Sequence, residues 1–213
     1  MNDTAIETVA PAALPGCLRT LTRAFGQDPV ARWLFPDPQD YAEWFPRLAR
    51  AFAEAACAGG ALRQARGGAA IAVWLAPGSE PDDDALSSVI GAGVAVSRRA
   101  SVRDLLEQIA HLHPAEPCWY LPLLGVSPEL QGRGLGSALL TAAAATCDAQ
   151  GLPAWLEATS PANVALYRRH GFEPAGLIQV PGGPAVTPMR RAPVRLRSEA
   201  MLGTATLREL TPS

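Results

Sequence analysis

Apolar residues in the first third of the chain recur at helical spacing. Leu14, Leu18, Leu21, Ala24 and Phe25 predict one helix. Asp28-Pro29 opens a second helical segment through Trp33-Leu34-Phe35, and Pro36-Asp37-Pro38 stops it. The pattern resumes from Tyr41 to Ala58, with Trp44, Phe45, Leu48 and Phe52 on its apolar side and Gly59-Gly60 as its end. Strand character follows from Ala69 to Ala76, closed by Pro77-Gly78. Glu80 to Asp84 reads as an acidic loop, and Leu86 to about His111 as one helix softened by Gly91 and Gly93.

The second half alternates more sharply. Cys118 to Val126 is a strongly apolar strand, and Ser127-Pro128-Glu129-Leu130 a turn. A glycine-rich loop comes next, then a helix from Ser137 to Gln150 that stops at Gly151. Ala154 to Ala158 reads as a strand and Ala162 to His170 as a short helix ended by Gly171. Phe172 to Val180 and Ala185 to Met189 predict a closing hairpin across Pro181-Gly182-Gly183-Pro184. This order predicts a single α/β domain built on a mixed sheet, over residues 4–192. Residues 193–213 form a tail without a clear pattern.

Composition narrows the class. The chain has 213 residues, 48% of them hydrophobic and 18% charged, enough for one domain with a real core. The net charge of −2 argues against a nucleic-acid partner. All 18 basic residues are arginine, so the protein has no lysine of its own to acylate. Cys17, Cys57, Cys118 and Cys147 form no CxxC pair, which argues against a disulfide framework or a zinc site. The Ala-rich stretch Ala138 to Cys147 is too short to span a membrane, and Met1-Asn2-Asp3-Thr4 carries no leader pattern. The chain therefore reads as cytoplasmic, with neither membrane nor metal expected.

Chemistry concentrates in Gln131-Gly132-Arg133-Gly134-Leu135-Gly136. Glycines between a strand and a helix let backbone N–H groups converge, and the helix start adds unpaired N–H groups and its dipole. Such a site holds a pyrophosphate without lysine. Arg133 either adds charge there or stands in solvent. A P-loop is excluded because it requires lysine. A dinucleotide fingerprint would need glycine at Ser137, although Glu157 stands where a ribose-binding acid would. A nicotinamide-dependent oxidoreductase thus remains an alternative at this point.

The loop resembles the Q/R-x-x-G-x-G/A motif of the GNAT superfamily of N-acetyltransferases. Trp119-Tyr120-Leu121, Leu124-Gly125-Val126, Leu156-Glu157, Asn163, Tyr167 and His170-Gly171-Phe172 follow in that family's order. Asp28-Pro29-Val30, Trp33-Leu34-Phe35-Pro36, His113-Pro114 and Val180-Pro181-Gly182-Gly183-Pro184 resemble the puromycin N-acetyltransferase-like subgroup. The resemblance covers roughly residues 14–191. It implies a central sheet splayed open, with acetyl-CoA in the split beside Leu124, Gly125 and Val126. It places the pyrophosphate on Gln131, Gly132, Arg133, Gly134, Leu135, Gly136 and Ser137, with Asn163 on the far side. It makes Tyr167 the acid that protonates the departing thiolate and Glu157 a candidate base.

The same resemblance assigns the acceptor side to the N-terminal helices. Trp33 and Phe35, with His113 and Trp119, are the candidate acceptor residues for a small, partly apolar primary amine. Tyr41, Trp44 and Phe45 belong to the same aromatic cluster as Trp33 and Phe35, of which one or two members are expected to touch the acceptor and the rest to be core. A homodimer is common in such folds. A non-catalytic acyl-CoA sensor of the same fold is the other alternative.

Overall fold

A computed structural model describes residues 5–194. Seven strands form one sheet in the order β1-β2-β3-β4-β5-β7-β6. They are β1 Ile6–Thr8, β2 Leu62–Ala65, β3 Ala70–Leu75, β4 Trp119–Val126, β5 Ala154–Ala158, β6 Glu173–Pro174 and β7 Thr187–Arg191. Every neighbouring pair is antiparallel except β4 and β5, which run parallel. That topology is the expected mixed, splayed sheet and not the doubly wound parallel sheet of a dinucleotide fold.

Seven helices flank the sheet. They are α1 Leu14–Ala24, α2 Pro29–Leu34, α3 Pro38–Ala58, α4 Asp83–Gly93, α5 Arg99–Leu112, α6 Leu135–Gln150 and α7 Pro161–Arg168. Three of them start alike. Asp28, Asp37 and Ser160 each accept a backbone N–H from the first turn, and each is followed by proline at the first helical position.

Two cores lie on opposite faces. Leu18, Leu21, Phe45, Ile71, Val73 and Leu123 pack among α1, α3, β3 and β4 on one face. Leu121, Leu139, Leu140, Leu156 and Tyr167 pack beneath α6 on the other. The β4 strand serves both faces through an irregularity. Val73 pairs with Leu123 but Leu75 with Tyr120, so one extra residue sits in β4. Such a bulge moves the residues before it to the opposite face from the one simple alternation predicts.

The sheet opens at its middle. β4 and β5 pair only over Trp119–Ala154, Tyr120–Trp155 and Leu121–Leu156, and beyond that β4 stays with β3 while β5 stays with β7. The divergence leaves a wedge between Leu124–Val126 and the end of β5.

Three expectations change, and two strands enter that the sequence pattern did not show. The edge strand β1 and its neighbour β2 are too short to show a period of two. The single helix expected over 86–111 is α4 and α5, broken at Val94-Ala95. The acidic loop is partly helical, because Asp82 caps α4 through the Ala85 N–H, 2.9 Å away. The closing hairpin is interrupted. β6 spans two residues, and Ile178 rejoins β7's side through an isolated bridge to Val186. Of the expected tail, residues from 195 onward lie outside the described part of the chain.

Candidate active site

The wedge in the sheet is a cleft of about 710 Å³. Its first wall is the end of β4. Ser127 donates its N–H to the Ala69 carbonyl at 2.8 Å, so with a period of two Gly125 and Leu123 bond β3. The backbone groups of Leu124 and Val126 therefore turn to the open side. Gly125 is where α1 touches β4. A Cβ there would lie 2.9 Å from the Ala24 Cβ and 3.0 Å from the Leu21 Cδ2.

The glycine-rich loop forms the second wall. Gly134 caps α6 at φ +81° with no side-chain cap, so the N–H groups of Leu135, Gly136 and Ser137 point out unpaired by any capping side chain. Gly132 also has positive φ, and an added Cβ at either glycine would meet nothing within 4 Å. A row of free N–H groups at a helix start, in open space, fits a pyrophosphate. The Gln131 amide folds back to the Val126 carbonyl at 3.1 Å.

The third wall is α7 with the loop before it. Tyr167 is 7% exposed, and its ring meets Phe172 edge-on. Its hydroxyl has no hydrogen-bond partner among the described residues, although the residue lines the cleft. Burial raises its pKa above the phenol range, with the carboxylates of Asp28 and Glu157 adding to the rise. Asn163 lines the same wall and donates its side-chain N–H to the Thr159 hydroxyl at 3.2 Å.

The fourth wall is the turn between α1 and α2, which sequence reasoning missed as part of the site. Phe25 and Asp28 both line the cleft. One Asp28 oxygen takes the N–H groups of Val30 and Ala31 at 3.0 Å each, and the other accepts the Thr159 hydroxyl. Phe25 stacks on Phe45 at 5.3 Å and Phe45 on Tyr41 at 5.0 Å, so aromatic packing runs from the cleft into the core. The Asp-Pro start of α2 was legible; that its carboxylate faces across the split was not.

Glu157 sits on the α1 face of β5. Its oxygens accept the Tyr120 hydroxyl at 2.8 Å and the Trp155 indole N–H at 2.6 Å. Burial raises its pKa above 4.5, against these two hydrogen bonds, which lower it. His113 joins this group edge-on to Tyr120, 5.4 Å between centroids, with Trp155 at 5.9 Å. The acid that matched a ribose ligand in spacing is thus committed to two aromatic donors.

A family model for the Acetyltransferase (GNAT) family matches residues 20–172. The chain belongs to the GNAT family of acetyltransferases. This GNAT chain is 26% identical over 169 residues to an uncharacterized N-acetyltransferase of Schizosaccharomyces pombe, covering 72% of the chain and 68% of the relative. It superposes on histone acetyltransferase HPA2 and related acetyltransferase from Corynebacterium glutamicum with a TM-score of 0.68 at 26% identity. That match covers 91% of this chain and 98% of the other. The polyamine N-acetyltransferase of Drosophila melanogaster gives 0.64 at 18% identity, over 89% and 100% of the two chains. Arylalkylamine N-acetyltransferase 2 of Aedes aegypti gives 0.63 at 14%, over 90% and 99%. The protein is an acetyl-CoA-dependent N-acetyltransferase.

Six expected site residues do not line the cleft: Trp33, Phe35, His113, Trp119, Arg133 and Glu157. Phe35 is 0% exposed in the core and has no surface to offer an acceptor. Trp119 lies beneath α6 on the other face, its indole N–H bonded to Gln150 at 2.8 Å, because the β4 bulge turns it there. Arg133 is exposed and stands outside the residues that line the cleft. Trp33 is partly buried, between the α1-face core and a small cluster of Leu105, Ile178, Val180 and Val186. Among the described residues no helix is long and apolar enough to cross a membrane, and no three His, Cys, Asp or Glu are grouped to hold a metal.

Proposed function

We propose that this GNAT enzyme acetylates the primary amine of a small, partly apolar molecule, by direct attack in a ternary complex. The observation that carries the reading is Tyr167, a buried residue lining the cleft bounded by Leu124–Val126 and the glycine loop, with a hydroxyl that has no hydrogen-bond partner among the described residues. Its Asp-Pro turn and Trp33 segment support a place in the puromycin N-acetyltransferase-like subgroup.

Each residue type has work to do in that reaction. The N–H groups of Gly132 to Ser137 hold the pyrophosphate, and the backbone of Leu124 and Val126 pairs with the pantetheine amides. A backbone N–H at that strand end stabilises charge on the carbonyl oxygen as the C–N bond forms. Tyr167 gives its proton to the sulfur as the C–S bond breaks. A phenol can fill this role, and the raised pKa of Tyr167 keeps its proton in place until the thiolate departs. Glu157 receives the amine proton through water, and its raised pKa makes it a stronger base than an exposed carboxylate.

The acceptor approaches past Phe25, Trp33 and the His113–Tyr120 pair. The Drosophila relative forms N-acetylagmatine and the Aedes relative is an arylalkylamine N-acetyltransferase. At their identities they share the fold, and the small-amine reading rests on the aromatic wall of this chain. Release of coenzyme A, followed with a thiol reagent over a panel of amines, tests it. Turnover with small amines carrying an apolar body is expected. Turnover confined to protein or peptide acceptors would sink the proposal.

A further inference from the structure

The charged side chains of the cleft are Arg23, Asp28 and Arg169. Arg23 is bound to the Glu129 carboxylate, so that pair adds little net charge. Asp28 is occupied by the Thr159 hydroxyl and the first turn of α2. Arg169 has no carboxylate partner among the described residues, and its exposed head lines the cleft. The glycine loop opposite offers N–H groups but no cation, because Arg133 stands outside the lining. A ligand with several phosphate charges meets one uncommitted cation here, and it comes from α7.

The helix brings that cation to the loop. Leu166 leans on the start of α6, its Cδ2 lying 4.0 Å from where a Gly136 Cβ would stand. Arg169 follows three residues later and keeps helical backbone angles at the end of α7, so the two side chains share one face. Its Nη1 donates to the Ala165 carbonyl at 3.0 Å, which folds the side chain back over its own last turn. A guanidinium carries further N–H donors in a planar fork, and none of the others is bonded among the described residues.

We infer that Arg169 binds a phosphate group of the cosubstrate, as the cation that the glycine loop itself lacks. The inference rests on the proposed placement of acetyl-CoA in this cleft. The loop N–H groups and the α6 dipole take the pyrophosphate from one side, and the Arg169 fork takes phosphate oxygens from the α7 side. Coenzyme A carries phosphate at two places, the pyrophosphate and the ribose 3′-position, and both offer the fork the same pair of oxygens. Arg169 is a binding residue with no part in the bond changes at the thioester.

Isothermal titration of the full chain with coenzyme A and with 3′-dephospho-coenzyme A tests the contact, and needs no acceptor. Arg169→Gln should weaken coenzyme A binding roughly 10-fold, the low end for a hydrogen bond between charged partners, because the guanidinium is exposed. The variant's affinity should also fall less steeply with added salt than that of wild type, a change that a merely structural role would not produce. Arg133→Gln should bind as wild type does. Both arginines are exposed, so both variants should melt with wild type. A loss confined to coenzyme A assigns Arg169 to the 3′-phosphate, and a loss shared with the dephospho form assigns it to the pyrophosphate; either supports the inference. Unchanged affinity for both ligands, an unaltered salt dependence, or an equal loss in Arg133→Gln overturns it. Failure of the wild-type chain to bind coenzyme A would instead overturn the placement of the cosubstrate on which it rests.

Discussion

Asp28 and Thr159 meet across the split in the sheet. The Thr159 hydroxyl, at the end of β5, donates to the carboxylate that caps α2, and Asn163 extends the chain by donating to the same hydroxyl. The contact ties the two walls that hold the cleft at its working width. Replacing Asp28 with alanine is expected to cost about 1–2 kcal/mol from the lost cap. Asn at the same position keeps the cap and loses the charge. Denaturant unfolding of Asp28→Ala, Thr159→Val and the double variant should give non-additive losses of at least about 0.5 kcal/mol, as for residues in contact. Additive losses would show that the contact is absent in solution.

Tyr167→Phe tests the proposed acid. The hydroxyl has no partner to lose among the described residues, so stability should stay within about 0.5 kcal/mol of wild type. The rate at saturating substrates should fall about 100-fold or more. Because burial raises the Tyr167 pKa above its ordinary 10.0, the hydroxyl stays protonated through the assay range. No loss of turnover from its ionisation is expected below that value. An unchanged rate in the phenylalanine variant would remove Tyr167 from the mechanism.

As the proposed base, Glu157 should set the acidic limb. A base must be ionised, and burial places its pKa above 4.5, so turnover should rise with pH through that raised value. Glu157→Gln should lower the rate and abolish the limb. Acceptors of different amine pKa separate it from titration of the substrate, because a limb owned by Glu157 does not move with the acceptor. A limb that tracks the amine would assign it to the substrate alone.

Gly125→Ala tests the close approach of α1. The added methyl has no room against Ala24 and Leu21. Overpacking of this kind costs about 1–3 kcal/mol. The strain should also shift α1 and raise KM for acetyl-CoA, since Ala24 and Phe25 line the cleft. Calorimetric melting and initial rates check both; a variant matching wild type in each would contradict the packing.

Arg191 and Asp148 clamp β7 to the end of α6. Two parallel hydrogen bonds of 2.8 Å join them, with side chains 8% and 17% exposed. Arg191 also bonds the His170 carbonyl at 3.1 Å. Asp148→Ala leaves the cation buried and should cost about 3 kcal/mol. The hydrogen bond from Arg191 lowers the Asp148 pKa below 3.8. A depressed carboxyl stabilises the fold above its unfolded value and stops doing so as pH falls through the folded value. The gap between wild type and Asp148→Asn should therefore be full above about pH 5 and shrink below 3.8. A gap independent of pH would show that the charge is irrelevant.

The glycine-loop and α7 walls of the cleft were legible because their geometry is local. Gln131 to Ser137 and Asn163 to Tyr167 each lie in a short stretch whose backbone their own residues dictate. The acceptor side was not, because it depends on which way aromatics turn. Phe25 and Phe35 differ little as spacing, yet one lines the cleft and the other is sealed in the core. Trp119 was misplaced by a single extra residue in β4, which alternation does not foresee. Strands β1 and β2 were missed because three and four residues show too little pattern.

The parting of β4 from β5 has a further consequence. Leu124 and Val126 form an inner edge, with backbone groups turned away from β3 in the middle of the sheet instead of at its margin, where the Gln131 amide takes the Val126 carbonyl. Exposed edges invite pairing with other chains. Here the edge is guarded on one side by α1, pressed onto Gly125, and on the other by α7. A second polypeptide strand would have to seat side chains against both helices at once, a demand that a thin ligand without side chains does not make. The same flanking helices that leave this inner edge open to a thin ligand deny it the flat approach that strand pairing needs.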